Sequence, residues 1–471
     1  MGAGDMTGIF LAIQYELLLF AGVFFLVCAL DELAVDLLYA LRRLIRIGAG
    51  QSSVPDMYAP HRGGGGRPFL KGAAAVFVPA WQEAEVIGAT LRHMSGVWAH
   101  HNLTIYVGCY PNDPATIAAA RAAANADARI RVVVHERNGP TSKPDCLNHL
   151  WRTLRAQETA SGVPTRMVVL HDAEDMVDPA AMGLLDRALV DCDFAQLPVI
   201  ALPQTRSRWV GGHYSDEFAE AHGKTMVVRD WLRAGLPGAG VGTAIRCDML
   251  RRATTPGERG PFEDNALTED YQLGLRIAQM GGRQRFLRER APDGRLIATR
   301  AYFPASLSAA VRQKTRWTHG IAFQGWDRIG WQGGLAARWM QARDRRGPLS
   351  AALIAIAYLL FVVTAFNFAA LQWGMGLAVP FTPVLELLLM ANLGFLAWRI
   401  AIRFVFTARE HGWREGVLAI ARVPVSNVIH IMAGRRAALA YWRSLSGIAP
   451  TWDKTVHHHH PAMMQETKLA A

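Results

Sequence analysis

A chain of 471 residues, 51% of them hydrophobic and with a formal charge of +11, has room for two or more domains and is too apolar for an ordinary soluble enzyme. The positive surplus suits nucleic acid, anionic lipid headgroups or phosphorylated substrates without choosing among them. Five cysteines, at 28, 109, 146, 192 and 247, share no C-x-x-C spacing, so neither a zinc site nor a disulfide framework is indicated.

From the N-terminus, Thr7 to Leu30 is apolar enough and long enough to cross ~30 Å of hydrocarbon as a helix, with Glu16 inside it. It has no basic leading region and no small-residue cleavage site, which makes it an anchor rather than a signal peptide. The following "DELAVDLLYALRRLIRIG" is amphipathic, and its Arg42, Arg43 and Arg46 put that side in the cytoplasm. Residues 1–48 are thus expected to be a transmembrane anchor and amphipathic helix, and 49–69, with "HRGGGGRP", a flexible linker. Over 70–347, apolar runs at 74–80, 103–108, 130–135, 167–172 and 194–202 alternate with helical stretches such as "PATIAAARAAANA". Strands apolar on both faces and separated by helices predict a parallel α/β sheet, whose ligands bind beyond the carboxyl ends of the strands. Residues 348–408 hold two further spans, about Ser350 to Trp373 and Phe381 to Phe406. The apolar stretch Gly416 to Tyr441, within 409–446, is interrupted by Arg422, Pro424, Ser426, Asn427 and His430, which predicts an interfacial or re-entrant helix. With three crossings, the tail 447–471 lies on the same cytoplasmic side as 70–347.

Acids gather where a buried strand ends, in "VVLHDAEDMVDP". Asp172, Glu174 and Asp175 repel one another unless a cation neutralises them. Hard oxygen ligands suit Mg2+ or Mn2+, which in turn bind diphosphates. Taken alone, the pattern also fits an acidic helix start. Farther on, "ALTEDYQLGLRI" carries Thr268-Glu269-Asp270, and "VRQKTRWTHG" carries Gln313-x-x-Arg316-Trp317. A lone Thr-Glu-Asp is a capping motif and a lone Arg-Trp means nothing. The ordered set between membrane segments resembles the membrane-integrated family-two inverting glycosyltransferases, among them cellulose, chitin and hyaluronan synthases, over roughly residues 70–460. Within that family, the single leading span, "YPNDP" and "WDKTVH" look most like the bacteriophage-adsorption type that makes surface polysaccharide.

The resemblance implies an α/β fold of the GT-A kind: a Rossmann-like, mostly parallel sheet in a cytoplasmic domain with flanking transmembrane and interfacial helices. In "FVPAWQEAEVI", Pro79, Ala80 and Glu83 would lie near the nucleotide, with Trp81 where the family often has Tyr. Asp113 in "VGCYPNDPAT" would contact the base, although the usual Asp-Asp-Gly-Ser is absent, and Lys143 in "GPTSKPDCLN" would approach the nucleotide. Asp172 and Glu174 match the metal-binding Asp-x-Asp with its second Asp replaced by Glu, and Asp175 stays in the set because either neighbour could supply the second ligand. Gly242 and Thr243 in "GAGVGTAIR" would turn beneath the donor and acceptor sugars. Asp270 matches the general base, flanked by Thr268 and Glu269. Arg316 would meet the donor diphosphate, while Gln313 and Trp317 would shape the acceptor subsite. In "APTWDKTVHHHHP", Trp452 and Lys454 resemble a gating loop over the donor, and His457 joins the metal candidates.

The activity so implied is metal-dependent inverting transfer from a UDP-linked nucleotide sugar to a glycan or lipid-linked acceptor, building a surface polysaccharide at the bacterial inner membrane. Three spans make a thin wall for an export channel, so a homo-oligomer or export partner is expected alongside membrane lipids. The alternatives are a non-processive transferase loading one sugar onto a polyprenyl phosphate or lipid, and a catalytically silent membrane receptor or scaffold. Intact Asp172, Asp270, Gln313, Arg316 and Trp317 weigh against silence. No recognised nucleic-acid motif accompanies the arginines, so no nucleic-acid partner is expected.

Overall fold

A computed structural model describes residues 3–49, 70–255, 257–373, 381–447 and 460–461. The apolar runs need cover on both faces and receive it. They form β1 (Ala73–Pro79), β2 (Leu103–Cys109), β3 (Ile130–Val134), β4 (Thr165–Leu170), β5 (Phe194–Gln196) and β6 (Val199–Ala201), joined by β7 (Thr243–Arg246), β8 (Gln284–Phe286) and β9 (Thr299–Ala301). Seven strands make one sheet in the order β3-β2-β1-β4-β7-β5-β8, parallel except for β7, which runs antiparallel to β4 and β5. This is the GT-A, Rossmann-like arrangement. Side chains alternate across it: Val76, Val78, Ile105 and Val169 pack on one face against Leu91, Met94 and Trp98. Ala75, Phe77, Val168 and Leu170 pack on the other against Leu147, Leu150 and Trp151.

Three details depart from expectation. The run 194–202 is two strands, because Pro198 lacks the N–H that a continuous ladder needs; β5 stays in the main sheet while β6 pairs with β9. The "GTAIR" segment turns only at its glycine and then enters the sheet as β7. The anchor and amphipathic segment form one unbroken helix, Ala3–Gly48.

Among the described residues, three helices are long and apolar enough to cross a membrane: Gly8–Gly48, Gly347–Leu371 and Pro383–His411. Their contacts make them alternate in direction. At one end Gln14 reaches Thr364 (3.3 Å) and Tyr15 reaches Thr382 (2.9 Å). At the other, Trp398 donates to Asp36 (2.8 Å), and Asp31 and Glu32 meet Arg343 and Arg346 on the GT-A side. After them, Trp413–Ala421 and Val423–Leu445 form a pair bent by 55°. Arg422, at the bend, is buried in the GT-A domain, donating to Arg208 O and Asp216 Oδ1, both at 2.7 Å. At the far end of the second helix, Tyr441 donates to Asp327 (3.1 Å) and stacks on Phe323.

Candidate active site

Strand ends and loops around β1, β2, β4 and β7 leave a cleft, and the sequence motifs border it from several sides. Pro79, Ala80, Trp81 and Glu83 line it after β1. Trp81 stands edge-on to Tyr110 and against Gly139, where a Cβ would come within 2.6 Å of its ring. Asp113 is spent behind this edge. It caps the helix Pro114–Ala126 by accepting from Thr116 N (3.3 Å) and accepts from Gln82 N (2.5 Å) as well.

The loop after β4 brings Asp172 and Glu174 to the cleft. Asp172 is about a third exposed and accepts from Lys143 Nζ at 2.6 Å. Lys143 opens the helix Lys143–Ser161 and also lies 3.5 Å from Glu269 Oε1. Burial opposes the lysine charge, yet Asp172, Glu269 and Asp270 together hold its pKa above the usual value. Asp175 does not turn outward. Its buried carboxylate accepts from His171 Nδ1 (2.8 Å) and from Asp172 N (3.0 Å), fixing the loop that presents Asp172.

Thr268 begins the helix Glu269–Gln279 without capping it, and its buried hydroxyl has no hydrogen-bond partner among the described residues. The capping explanation for this motif therefore fails. Asp270 follows on the first turn, where burial, then the Glu269 charge, push its carboxyl up to about 7 against the pull of Lys143. Room for it comes from Gly240, whose φ is +74° and where a Cβ would stand 2.7 Å from Asp270 Oδ2 and 3.3 Å from Lys143 Nζ. Gly242, by contrast, faces Thr299, and Thr243 is buried with its hydroxyl on Gln196 Oε1 (2.6 Å). Gln196 also accepts from Ala239 N (2.9 Å) and donates to Val241 O (2.8 Å), so one buried amide pins the whole turn.

The opposite wall comes from the helix Leu307–Thr318. Gln313 is buried there with its Oε1 unpartnered among the described residues, and Arg316 and Trp317 line the cleft. Trp317 belongs to an aromatic group with Tyr214, Phe218 and Phe303. The helix continues into a π-helical segment, His319–Gln324, that packs on the Thr-Glu-Asp loop: Gln324 accepts from Leu267 N (3.0 Å), and a Cβ on Gly320 would come within 2.5 Å of Thr268 Oγ1. Such segments recur at functional sites.

Asp172 and Glu174 fit a hard divalent cation by donor type and by facing the cleft. Among the described residues no three His, Cys, Asp or Glu side chains converge tightly enough to hold a metal by themselves. Mg2+ and its like characteristically use one or two carboxylates and complete their shell with substrate phosphates and water. Trp452, Lys454 and His457 lie outside the described residues. Sequence reasoning missed Gly240, Gln196, Phe218 and Phe303. A glutamine inside an apolar strand was the one available signal, since a buried amide must be hydrogen-bonded.

Such a sheet, with carboxylates, a lysine and an arginine facing one cleft, defines a GT-A glycosyltransferase domain joined to apolar helices. The profile described as glycosyltransferase like family 2 matches residues 72–320, more than half of the chain, and the chain belongs to that family. It is 30% identical over 472 residues to bacteriophage adsorption protein B of Escherichia coli (strain K12), covering 95% of this chain and 62% of that protein, so it spans less than two thirds of that relative. Among solved structures it is similar to the mannosyltransferase PcManGT from Pyrobaculum calidifontis in complex with GDP-Man and Mn2+ (16% identity, TM-score 0.44, 86% of this chain and 99% of that one). Glucosyl-3-phosphoglycerate synthase from Mycobacterium tuberculosis in complex with Mg2+ and UDP is also similar (15% identity, TM-score 0.32, 52% and 75%).

Proposed function

We propose that the chain is a metal-dependent inverting hexosyltransferase that takes a sugar from a UDP-linked donor and adds it to a glycan or lipid-linked acceptor, building a bacterial surface polysaccharide at the inner membrane. One observation carries the reading: Asp270, with its carboxyl pushed up to about 7, shares a cleft with the Lys143–Asp172 pair and with Arg316. A carboxylate that titrates near neutrality is matched to accept a proton under working conditions. The acceptor hydroxyl attacks the anomeric carbon as the bond to the diphosphate breaks, and its proton passes to Asp270. Lys143 and Arg316 are placed to receive the negative charge that develops on the leaving group. Mg2+ or Mn2+, held by Asp172 and Glu174, would supply further neutralisation of that diphosphate. Gln313 offers an unspent amide oxygen to an acceptor hydroxyl, and the Trp317 indole an apolar face to the sugar ring.

The relative named for phage adsorption supports a product displayed at the cell surface. Arg42, Arg43 and Arg46 at the GT-A end of the first helix support a cytoplasmic domain. The test is to incubate the purified full chain with a panel of nucleotide sugars and Mn2+ and to measure released nucleoside diphosphate. UDP-sugar turnover that stops in excess chelator is expected, with Asp172→Asn raising the donor KM. Full activity in chelator removes the metal from the reading, and no release with any donor favours the scaffold.

A further inference from the structure

His460, the last of the histidine run 457–460, has no part in the transfer itself, and it is placed where it matters. His460 is fully buried, and its Nε2 lies 3.1 Å from the main-chain oxygen of Asp175. A carbonyl can only accept, so the imidazole donates. That oxygen belongs to the loop carrying Asp172 and Glu174, and the back of the loop is otherwise held from within the GT-A domain. Thr90 Oγ1 donates to Ala173 O (2.5 Å), His93 Nε2 to Val177 O (2.9 Å) and Trp98 Nε1 to Asp178 O (3.0 Å). Met176 exchanges main-chain bonds with Arg300 (2.8 and 3.0 Å). Between these supports, Asp175 O is met by a residue 285 positions away, beyond the last membrane-associated helix.

We infer that His460 is a positioning residue, which docks on the back of the acidic loop and sets the geometry of Asp172. The chain of contacts is short. His460 holds the main chain at Asp175, the Asp175 carboxylate accepts from Asp172 N and His171, and Asp172 carries the ion pair with Lys143. A shift at residue 175 therefore moves the carboxylate offered to the cation and donor. This support alone among those five comes from outside the GT-A domain, so it makes the competence of the cleft depend on His460. The docking stands on geometry; its catalytic consequence rests on the glycosyltransferase reading.

Two measurements on the full chain in detergent separate these levels. Hydrogen exchange of the peptide spanning 171–178 is expected to speed up in His460→Ala and to return towards the parent in His460→Gln, whose amide can still donate. Unchanged exchange in His460→Ala overturns the docking whether or not the protein transfers sugar. In turnover assays, His460→Ala is expected to raise the Mn2+ concentration for half-maximal rate and the donor KM by about tenfold, the scale on which groups behind a metal ligand act, with a smaller change in kcat and rescue by Gln. Altered exchange with parental Mn2+ dependence overturns the step from loop to metal. Altered exchange in a parent that turns over no nucleotide sugar supports the docking and sinks the function proposed above.

Discussion

Asp270 sits where a helix-start acid would sit, and removing such an acid ordinarily costs ~1 kcal/mol of stability and nothing else. Its surroundings argue for more: the helix start is uncapped by Thr268, the carboxyl is pushed up to about 7, and Gly240 is cut back to make room for it. Asp270→Asn is nearly isosteric, so the variant is expected to fold and bind UDP as the parent does while losing on the order of 10²- to 10⁴-fold in transfer rate; a near-parental rate would show that the base lies elsewhere. The sign of the pH dependence follows from the raised value. The ionised form is the acceptor, so kcat/KM should fall as pH falls through about 7, and the fall should disappear from the residual activity of Asp270→Asn. Gly240→Ala tests the space itself. It places a methyl in a left-handed backbone position, at ~1–2 kcal/mol, and within 2.7 Å of Asp270 Oδ2, so activity should drop by far more than the thermal midpoint. Asp172, Lys143 and Asp270 were legible in the sequence because charged side chains in an ordered set carry chemistry in their identity. Gly240 was not, because nothing in "GAGVG" says which glycine faces the Asp270 carboxyl. Nor was Asp113 resolvable: the same aspartate can contact a base or cap a helix, and here it caps.

Among the elements, the bent pair after the third apolar helix is fastened at its bend by a buried arginine. Arg422 enters a gap that Gly212 leaves open, where a Cβ would come within 2.5 Å of its Nε, and pairs with Asp216 and Glu415. Burial pushes Asp216 up to about 6 even with Arg422 beside it. Arg422→Met strands that carboxyl and should cost about 3 kcal/mol, the scale of breaking one side of a buried pair. Adding Asp216→Asn should recover a large part of the loss, since the remaining group is neutral. Thermal unfolding in detergent reads both, and a single variant as stable as the parent would mean that the pair is dispensable. Elements with a strong apolar period, β1 to β4 and the three long helices, were legible from sequence. Short strands were not: β8 and β9 have three residues each, and β7 borrows its place from the neighbours it pairs with rather than from a pattern of its own. The division of β5 from β6 could have been read at Pro198.

At the scale of the whole molecule, topology turns on whether the bent pair crosses the membrane: among the described residues, length and composition allow three spans, or four if the pair counts as one. Three observations bear on it together. Arg422 is buried in the GT-A domain, Tyr441 near the other end of Val423–Leu445 binds Asp327 of the same domain, and His460 beyond it rests on the loop of Asp172. A helix of 23 residues rises about 35 Å, enough to cross if it stood upright, but a crossing would carry Tyr441 and His460 to the face opposite the GT-A domain. The pair is therefore expected to lie along the membrane face of that domain, leaving three crossings. A reporter fused after Ala471 should then behave as cytoplasmic, and one inserted between Trp373 and Phe381, in the connection between the second and third apolar helices, as periplasmic. If both report the same compartment, the crossing count is even between them and the bent pair spans the bilayer. The docking of His460 on the acidic loop would then be impossible, and the dependence of the cleft on that residue would fall with it.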